Sequence, residues 1–326
     1  MTASFADGLP KAELHVHLEG TLEPGDLIRF ARRNAIPIPW RDEHELRAAY
    51  SFTGLENFLA VYFEGCKVLR RREDFHELTT AYLGRAAAQG VRRAEMFFGP
   101  QNFLDAGVPL DDQLGGIFDA IAEAREAWGI DGALLISAHR HRSEADALEL
   151  LDLVRPWREQ ILGAGLGSAE RGNPPSKFAR YFTAARAQGY RTTCHAGEEG
   201  PAAYLREALD VCRVERIDHG FTVTDDSDLV ARLADEQVPL TMCPLSNLRL
   251  GVAPDLAAYP LARLLDAGVL VTVNSDDPAY FDGYVNENYA ALGLGEDRLI
   301  RLARNSFTGS FAPESDVAAA LRTLGG

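Results

Sequence analysis

Histidine and carboxylate side chains follow four separate apolar runs of this chain, in a pattern that suits one divalent metal ion and an activated water. The four groups are His15 with His17, His195 with Glu198, His219 alone, and Asp276 with Asp277. Imidazole nitrogens and carboxylate oxygens are common zinc ligands, and a nearby acid or base is what metal-assisted hydrolysis requires. Because the groups are spread from residue 15 to residue 277, only the fold can bring them together.

His15 and His17 lie in the segment Glu13-Leu14-His15-Val16-His17-Leu18. Alternate residues of a strand point to the same face, so both rings are predicted to face the same side. The alternative is a pair of ordinary surface histidines, and the apolar residues around them argue against a surface strand. We therefore expect a buried strand that offers two metal ligands.

His195 ends a short apolar run and Glu198 follows three positions later, where the next loop begins. A ligand next to an acid or base suits metal-assisted hydrolysis. The alternative is the start of a helix, where the positive end of the helix dipole favours glutamate. His219 also closes a short run, before Gly220, whose conformational freedom permits a tight turn. By itself, a lone histidine such as His219 is more often a hydrogen-bonded core residue than a catalyst.

Asp276 and Asp277 are adjacent carboxylates after an apolar run, and their repulsion requires a metal ion or hydrogen bonds in compensation. An acidic turn before Pro278 is the alternative. Together, three histidines and one aspartate suit zinc and leave room for a water. Four protein ligands exceed the usual three of catalytic zinc, so we expect a five-coordinate site or a weakly held Asp276. The fourth predicted strand, Ile161 to Leu166, contains no lysine that could bridge two metals, which favours one ion.

The elements that must position these groups are eight predicted strands. They cover Ala12 to Leu18, Arg92 to Phe98, Ala133 to Ala138, Ile161 to Leu166, Arg191 to His195, Arg216 to His219, Pro239 to Cys243 and Leu270 to Asn274. Segments with helical spacing of apolar residues lie between most of them, such as Phe178 to Gln188, Leu205 to Cys212, Leu229 to Glu236 and Leu261 to Ala267. This alternation predicts an α/β protein, a (β/α)8 TIM barrel whose catalytic groups follow the carboxyl ends of the strands.

A long insertion separates the first two predicted strands, over about residues 21–90. It contains two or three predicted amphipathic helices, around Leu27 to Arg33, Leu55 to Leu69 and Phe75 to Ala88. A long connection at the catalytic face of a barrel is a candidate lid. Residues 290–324 are predicted to form closing helices, with a break at Pro313. We find no repeat or linker, so we expect residues 1–326 to form one domain.

Composition limits the partners. The chain has 326 residues, 46% of them hydrophobic, which is enough for one large core. Its formal charge of -15 argues against nucleic-acid binding, which depends on Lys and Arg. No segment reaches the roughly 18 apolar residues of a membrane span, and the N-terminus lacks the pattern of a signal peptide. The four cysteines have no C-x-x-C spacing, so we expect a cytoplasmic protein with a small-molecule substrate and water as its partners.

The chain resembles the adenosine and adenine deaminase family of metal-dependent amidohydrolases over roughly residues 8–315. The motifs that carry the resemblance are Pro10-Lys11-Ala12-Glu13-Leu14-His15-Val16-His17-Leu18-Glu19-Gly20, His195-Ala196-Gly197-Glu198, Asp218-His219-Gly220, Cys243-Pro244-Leu245-Ser246-Asn247 and Ser275-Asp276-Asp277-Pro278. The resemblance implies hydrolytic deamination of a 6-aminopurine with one zinc ion per chain. The implied ligands are His15, His17, His195 and Asp276.

The resemblance also implies roles around the substrate. Glu198 would contact purine N1 and protonate it, His219 would orient and help to deprotonate the water near Asp276, and Asp277 would contact N7. The reaction needs a water whose pKa is lowered, so that it can attack C6 as a hydroxide, and a proton donor at N1.

Substrate choice depends on fewer residues. Related nucleoside deaminases often have an aspartate where this chain has Glu19, so the longer side chain could fill the ribose space. Residues 165–178 and 276–281 are similar to the branch that acts on free adenine, and by this likeness Ser168 and Glu170 would face the N3 and N9 edge. We therefore expect adenine, with hypoxanthine and ammonia as products.

One departure leaves other substrates open. The adenine branch usually has an acidic residue and a serine where this chain has Gly167 and Ala169. A smaller residue at the end of the fourth strand could enlarge the pocket. Adenosine, an N6-substituted adenine and aminodeoxyfutalosine are therefore alternative substrates.

Two alternatives belong to other classes. A barrel of this kind could bind purines without catalysis, but no predicted ligand or proton-transfer residue is missing here. A zinc amidohydrolase acting on a cyclic amide or ester is the second alternative. The pair Glu198 and Asp277, suited to two ring nitrogens of a purine, argues against it.

Overall fold

Eight parallel strands form one sheet in which strand order follows chain order. The computed structural model describes residues 5–325. The strands are β1 (Lys11–His17), β2 (Val91–Phe98), β3 (Asp131–His139), β4 (Ile161–Gly167), β5 (Arg191–Ala196), β6 (Arg216–His219), β7 (Leu240–Met242) and β8 (Val271–Val273). The predicted (β/α)8 barrel is thereby confirmed, and all eight predicted strands are present.

Helices connect the strands and cover the barrel from outside. In the described part of the chain they are α1 (Pro24–Asn34), α2 (Glu43–Ala48), α3 (Leu55–Cys66), α4 (Arg72–Ala88), α5 (Gln101–Leu104), α6 (Leu110–Trp128), α7 (Glu144–Leu153), α8 (Ala179–Ala187), α9 (Ala202–Asp210), α10 (Ser227–Glu236), α11 (Pro244–Arg249), α12 (Leu261–Asp266), α13 (Val285–Ala291), α14 (Glu296–Thr308) and α15 (Glu314–Thr323). None of the helices in residues 5–325 is long and apolar enough to cross a bilayer.

The seam between β8 and β1 closes the barrel through the segment that carries Asp276. The backbone N–H of His17 donates to the Asp276 carbonyl at 2.8 Å, and the Asp276 N–H donates to the His15 carbonyl at 3.0 Å. Lower in the seam, the Asn274 side chain accepts from the Leu14 N–H at 2.8 Å. β8 is two residues shorter than predicted, covering Val271–Val273 instead of Leu270 to Asn274. Closure therefore sets His15, His17 and Asp276 side by side.

Both faces of the strands are buried, as expected for a parallel sheet covered by helices. Every residue of β1 except His17 is buried, including Lys11, Glu13 and His15. Inside the barrel, the Phe97 ring of β2 lies 5.2 Å from the rings of both His15 and His17, between ring centroids. The Phe97 ring thus packs against the two histidines at the carboxyl end of the barrel.

The insertion after β1 contains four helices, α1 to α4, instead of the two or three predicted. The additional one is α2, whose N-cap Asp42 accepts from the Glu45 N–H at 3.0 Å. Six residues are too few to show a helical period in the sequence, which is why the prediction missed it. α3 lies over the carboxyl end of the barrel.

Candidate active site

A cavity with about 530 Å³ of empty space, partly open to solvent, lies at the carboxyl ends of the strands. Its lining residues are His17, Leu55, Phe58, Leu59, Tyr62, Phe63, Gly99, Ser137, His139, Ser168, His195, Glu198, His219, Leu250, Asp276 and Asp277. α3 provides the apolar wall through five of these side chains, and the strand ends provide the polar groups. The predicted chemical groups and the insertion therefore meet at one site.

Three histidines and Asp276 converge at the bottom of the cavity. The Nε2 atoms of His17 and His195 are 3.1 Å apart. Asp276 Oδ1 lies 3.3 Å from His15 Nε2 and 3.4 Å from His17 Nε2. The buried Nε2 of His15 has no hydrogen-bond partner, although it points into this group of ligand atoms.

These distances fit a metal ion. With metal–nitrogen distances of about 2.0–2.1 Å, two ligands of a tetrahedral site lie about 3.3 Å apart. Three of the distances between these ligand atoms, at 3.1–3.4 Å, match that spacing, and one of the atoms, His15 Nε2, is otherwise unpartnered. The residues thus suit a metal centre, and their buried lone pairs would be costly without a cation.

Asp218 orients two of the three histidines from below. Its Oδ2 accepts from Thr193 Oγ1 at 2.7 Å and lies 3.3 Å from His195 Nδ1. Its Oδ1 accepts from Thr241 Oγ1 at 3.0 Å, and that hydroxyl is 3.0 Å from His15 Nδ1. Since Thr241 gives its proton to Asp218, His15 Nδ1 must donate to Thr241. Both rings therefore present an unprotonated Nε2 to the metal position.

His219 is adjacent to this cluster, but it faces the cavity differently. Its Nε2 lies 3.6 Å from Glu198 Oε2 and 4.0 Å from Asp276 Oδ2, farther from Asp276 than His15 and His17 are. Asn247 Nδ2 lies 3.5 Å from its Nδ1. Ser246 Oγ donates to Asp276 Oδ2 at 2.6 Å, which leaves Oδ1 for the cluster. His219 thus lies between the metal ligands and Glu198, where it could exchange a proton with a water.

The carboxyl groups differ in their protonation. Burial, the charge of Asp276 and the charge of Glu170 raise the pKa of Glu198 well above its usual range. Burial and the charge of Asp276 do the same to the pKa of Asp277. Burial also opposes ionisation of Asp276, but hydrogen bonding and charge from His15 prevail and hold its pKa well below the usual range. The surroundings thus favour ionisation of Asp276 and disfavour ionisation of Glu198 and Asp277, a difference that suits a ligand beside proton donors.

The histidines are mostly neutral. Burial lowers the pKa of His17 to about 3, and it also lowers the pKa of His195 and that of His219. Burial acts the same way on His15, but the Asp276 carboxylate, 3.3 Å from its Nε2, prevails and raises the pKa of His15. Neutral imidazole is the form that binds metals and accepts protons.

Three residues of the site have positive φ although they are not glycine. The values are 78° for Ser168, 64° for His219 and 66° for Asp276. Each follows or ends a strand, and left-handed backbone turns the side chain out of the alternating pattern of the sheet. Such strain is typical of functional sites, where surrounding contacts maintain it.

Glu19 and Asp277 lie next to each other at the β1 side of the cavity. Glu19 is buried, and its Oε1 accepts from the Gly99 N–H at 2.8 Å and from Asn102 Nδ2 at 3.2 Å. Burial raises the pKa of Glu19 to about 7. Asp277 packs directly against Gly20, where an added Cβ would lie 2.0 Å from Oδ1. Glu19 therefore supports the wall at Gly99 from behind.

Gly167 and Ser168 form the end of β4 beside the metal cluster. A Cβ at Gly167 would lie 3.2 Å from Ser137 Oγ and 3.5 Å from His195 Cε1. Ser168 lines the cavity, and its Oγ lies 2.7 Å from His141 Nδ1. A side chain at Gly167 would thus be crowded by Ser137 and His195, and Gly167 itself does not line the cavity.

Glu170 is a predicted substrate-binding residue that, like Glu19 and Gly167, does not line the cavity. It is fully buried and does not line the cavity, and its carboxylate accepts hydrogen bonds from the backbone of residues 197–200. This placement does not support the predicted contact with the N3 and N9 edge. The contact with a loop could not be foreseen, because nothing in the sequence pairs residue 170 with residue 197.

Other contributors were missed by sequence reasoning. His139 lines the cavity at the end of β3, and burial lowers its pKa to about 3. The pattern His139-Arg140-His141 repeats the alternation of His15 and His17 and could have indicated it. Asp218 was quoted within a motif, but only its contacts reveal what it does.

A parallel barrel with histidines and an aspartate clustered at its carboxyl ends defines the class of metal-dependent hydrolases. The chain belongs to the adenosine deaminase family: the family model described as adenosine deaminase matches residues 10–324. Its relatives place it in the adenine deaminase branch of that family. It is 50% identical to an adenine deaminase of Rhodopseudomonas palustris over 325 residues, which cover 98% of this chain and 95% of that protein.

Two solved structures extend the comparison. A crystal structure of adenine deaminase from Arthrobacter aurescens has a TM-score of 0.95 and 47% identity, and the match covers 97% of this chain and 98% of that one. An amidohydrolase from Burkholderia ambifaria with bound zinc has a TM-score of 0.90 and 27% identity, with 99% and 93% covered. The family is metal-dependent. Within residues 5–325, two overlapping groups of side chains are close enough together to hold a metal ion: His15, His195, His219 and Asp276, and His17, Asp276 and Asp277.

Proposed function

We propose that this protein catalyses the hydrolytic deamination of adenine to hypoxanthine and ammonia. The observation that carries the proposal is that Glu198 and Asp277, two carboxyl groups with raised pKa values, line the same cavity as the metal cluster. Purine N1 and N7 are both acceptors, so each needs a proton donor. The identity of about half of all residues with adenine deaminases of near-equal length supports the same substrate.

Zinc is the metal we propose, one ion per chain, held by His15, His17, His195 and Asp276. Its support is the nitrogen-rich ligand set, the spacing of the ligand atoms, and the zinc in the Burkholderia ambifaria protein. When bound, zinc lowers the pKa of its water from about 15.7 towards 7 and so provides a nucleophile at neutral pH.

The chain's own residues then handle protons and orientation. His219 accepts a proton from the attacking water, because its neutral Nε2 lies between Asp276 and Glu198. Glu198 donates its proton to N1, which makes C6 a better electrophile. Asp277 donates to N7 and holds the ring in plane. The apolar side chains of α3 cover the ring and exclude bulk water.

The walls of the cavity limit which substituents a bound purine can carry. We propose that Ser168 faces the N3 and N9 edge and that Glu19, which supports Gly99, closes the space that a ribose would need. Gly167 lies near His195 at the end of β4, where a side chain would crowd Ser137. This arrangement favours a free base over a nucleoside.

A comparison of substrates tests the proposal. Purified, zinc-loaded protein is incubated with adenine, adenosine, N6-methyladenine or aminodeoxyfutalosine, and the purine product is quantified by chromatography. We expect kcat/KM to be highest for adenine. A higher value for any of the other three would reassign the substrate within the same reaction class. Absence of product from all four would overturn the deaminase proposal and leave a binding barrel.

A further inference from the structure

Glu170 holds the loop that carries Glu198 by three hydrogen bonds. Its Oε1 accepts from the Gly197 N–H at 2.7 Å, and its Oε2 accepts from the N–H groups of Glu199 and Gly200, each at 2.8 Å. A carboxylate has about four lone-pair sites, so three donors nearly saturate it. Charge-assisted hydrogen bonds of this length are among the stronger ones in proteins.

The three donors lie on both sides of Glu198. Gly197 has φ of 75°, so the chain turns sharply at the residue before Glu198. Gly200 lies so close to Glu170 that an added Cβ would be 2.7 Å from Oε1. The backbone at Glu198 is therefore fixed at its two neighbours, and the direction of its side chain into the cavity depends on that anchor.

A second buried residue fixes the loop that carries Glu170. Arg140 Nη1 donates to the His195 carbonyl at 2.5 Å, and its Nε donates to the Asn173 carbonyl at 2.9 Å. Lys177 Nζ donates to Asn173 Oδ1 at 2.9 Å. Residues 168–174 are thus tied to the end of β5 at the metal ligand and again beyond Glu198. The loop that carries Glu170 is therefore itself held by several hydrogen bonds, so the position of Glu170 does not depend on a single contact.

We propose that Glu170 is a positioning residue that sets the geometry of the proton donor Glu198. The proposal rests on the proposed function, in which Glu198 protonates the ring. In this proposal Glu170 acts from behind the site. Both of its carboxylate oxygens accept hydrogen bonds from backbone N–H groups, and the residue does not line the cavity.

The isosteric variant Glu170→Gln isolates this role. An amide keeps the size of the side chain but turns one acceptor into a donor that faces a backbone N–H. We expect kcat for adenine to fall about 10²-fold, the effect of a misplacement of roughly 1 Å at a catalytic group. The dissociation constant of hypoxanthine should change less than about threefold, because Glu170 does not touch the ligand. Zinc content should remain one per chain.

Hydrogen exchange provides a readout that does not need turnover. In protein without purine, the amides of residues 197–200 should exchange about tenfold faster in Glu170→Gln than in the wild type, because a charge-assisted bond is lost. The shorter variant Glu170→Asp cannot reach both sides of the loop and should show the same change. The matched control is Glu207→Gln, since Glu207 accepts a backbone bond from Ser176 at 3.1 Å, far from Glu198. It should leave both exchange and kcat unchanged.

The outcomes separate the two proposals. Unchanged exchange at residues 197–200 in both Glu170 variants would overturn the positioning role. A loss of hypoxanthine affinity as large as the loss of kcat would also overturn it, in favour of direct substrate contact. If the wild type does not deaminate adenine, the proposed function fails, while hydrogen exchange still decides whether Glu170 anchors the loop.

Discussion

The Nε2 atoms of His17 and His195 lie 3.1 Å apart, although 178 residues separate the two histidines in the chain. Asp218 lies 3.3 Å from His195 Nδ1, which favours the Nδ1–H tautomer and leaves the lone pair of Nε2 directed at His17. Two imidazole nitrogens at this distance, with the Asp276 carboxylate 3.4 Å from His17 Nε2, are stable together when they share a cation. The relationship defines the metal centre more directly than any motif.

Replacing His17 by Ala should remove the metal. The variant loses one of four converging ligands and leaves an open, water-accessible side at the cavity, so we expect metal content to fall well below one per chain and deamination to disappear. Metal analysis of protein after dialysis measures the first effect. His139→Ala is the matched control, because it removes a cavity histidine that is outside the cluster. Stoichiometric metal in His17→Ala would contradict its role as a ligand.

Much of this site could be predicted from the sequence, because it lies at the ends of strands. His15, His195 and Asp276 follow apolar runs whose parallel arrangement requires their carboxyl ends to meet. The metal cluster therefore follows from local patterns together with one rule of barrel topology.

The rest depends on contacts that no local pattern encodes. Glu170 follows the end of β4, where a side chain could contact the substrate, but its orientation away from the cavity is decided by backbone donors of another loop. Asp218 directly precedes His219 on β6. Only its contacts show that the Asp218 carboxylate lies beneath His195. Only side-chain geometry distinguishes a residue that contacts the substrate from one that holds its neighbour.

Replacing Glu198 by Gln should abolish most turnover and retain zinc. The amide fills the same space but has no acidic proton for N1, so we expect kcat/KM for adenine to fall by about 10²–10⁴-fold. Product formation and metal content are measured on the same preparation. Glu199→Gln is the neighbouring control, because that side chain pairs with Arg171 at 3.6 Å. Near-normal turnover in Glu198→Gln would refute its role as proton donor.

Replacing Asp218 by Asn should weaken metal binding without removing a ligand. The variant loses the charged acceptor that lies beside His195 Nδ1 and accepts from Thr241, so both rings lose their fixed orientation. Outer-sphere partners of this kind contribute about 10–100-fold to metal affinity. Competition with a chelator of known affinity measures the dissociation constant of zinc. Asp235→Asn, at an exposed position of α10, is the control, and equal affinities in the two variants would contradict the orienting role.

Lys11 makes the stability of the barrel depend on pH. The side chain is fully buried at the start of β1, where Nζ donates to the Gln89 carbonyl at 2.8 Å. Burial lowers the pKa of Lys11 from 10.5 to about 8. Between these two values the unfolded chain keeps a proton that the folded protein has released, so stability rises with pH in that window. Below pH 8 both states are protonated and the cost of burying the charge is complete.

The variant Lys11→Met tests this linkage because it keeps the length of the side chain and removes the titration. From pH 7 to pH 9.5, Lys11 should add about 2 kcal/mol to the free energy of unfolding of the wild type, and the variant should lack that gain. Urea unfolding at both pH values measures the difference between the proteins. Lys67→Met, at an exposed lysine, should follow the wild type at both values. A difference between wild type and Lys11→Met that stays constant with pH would show that the Lys11 ammonium is not destabilised by burial.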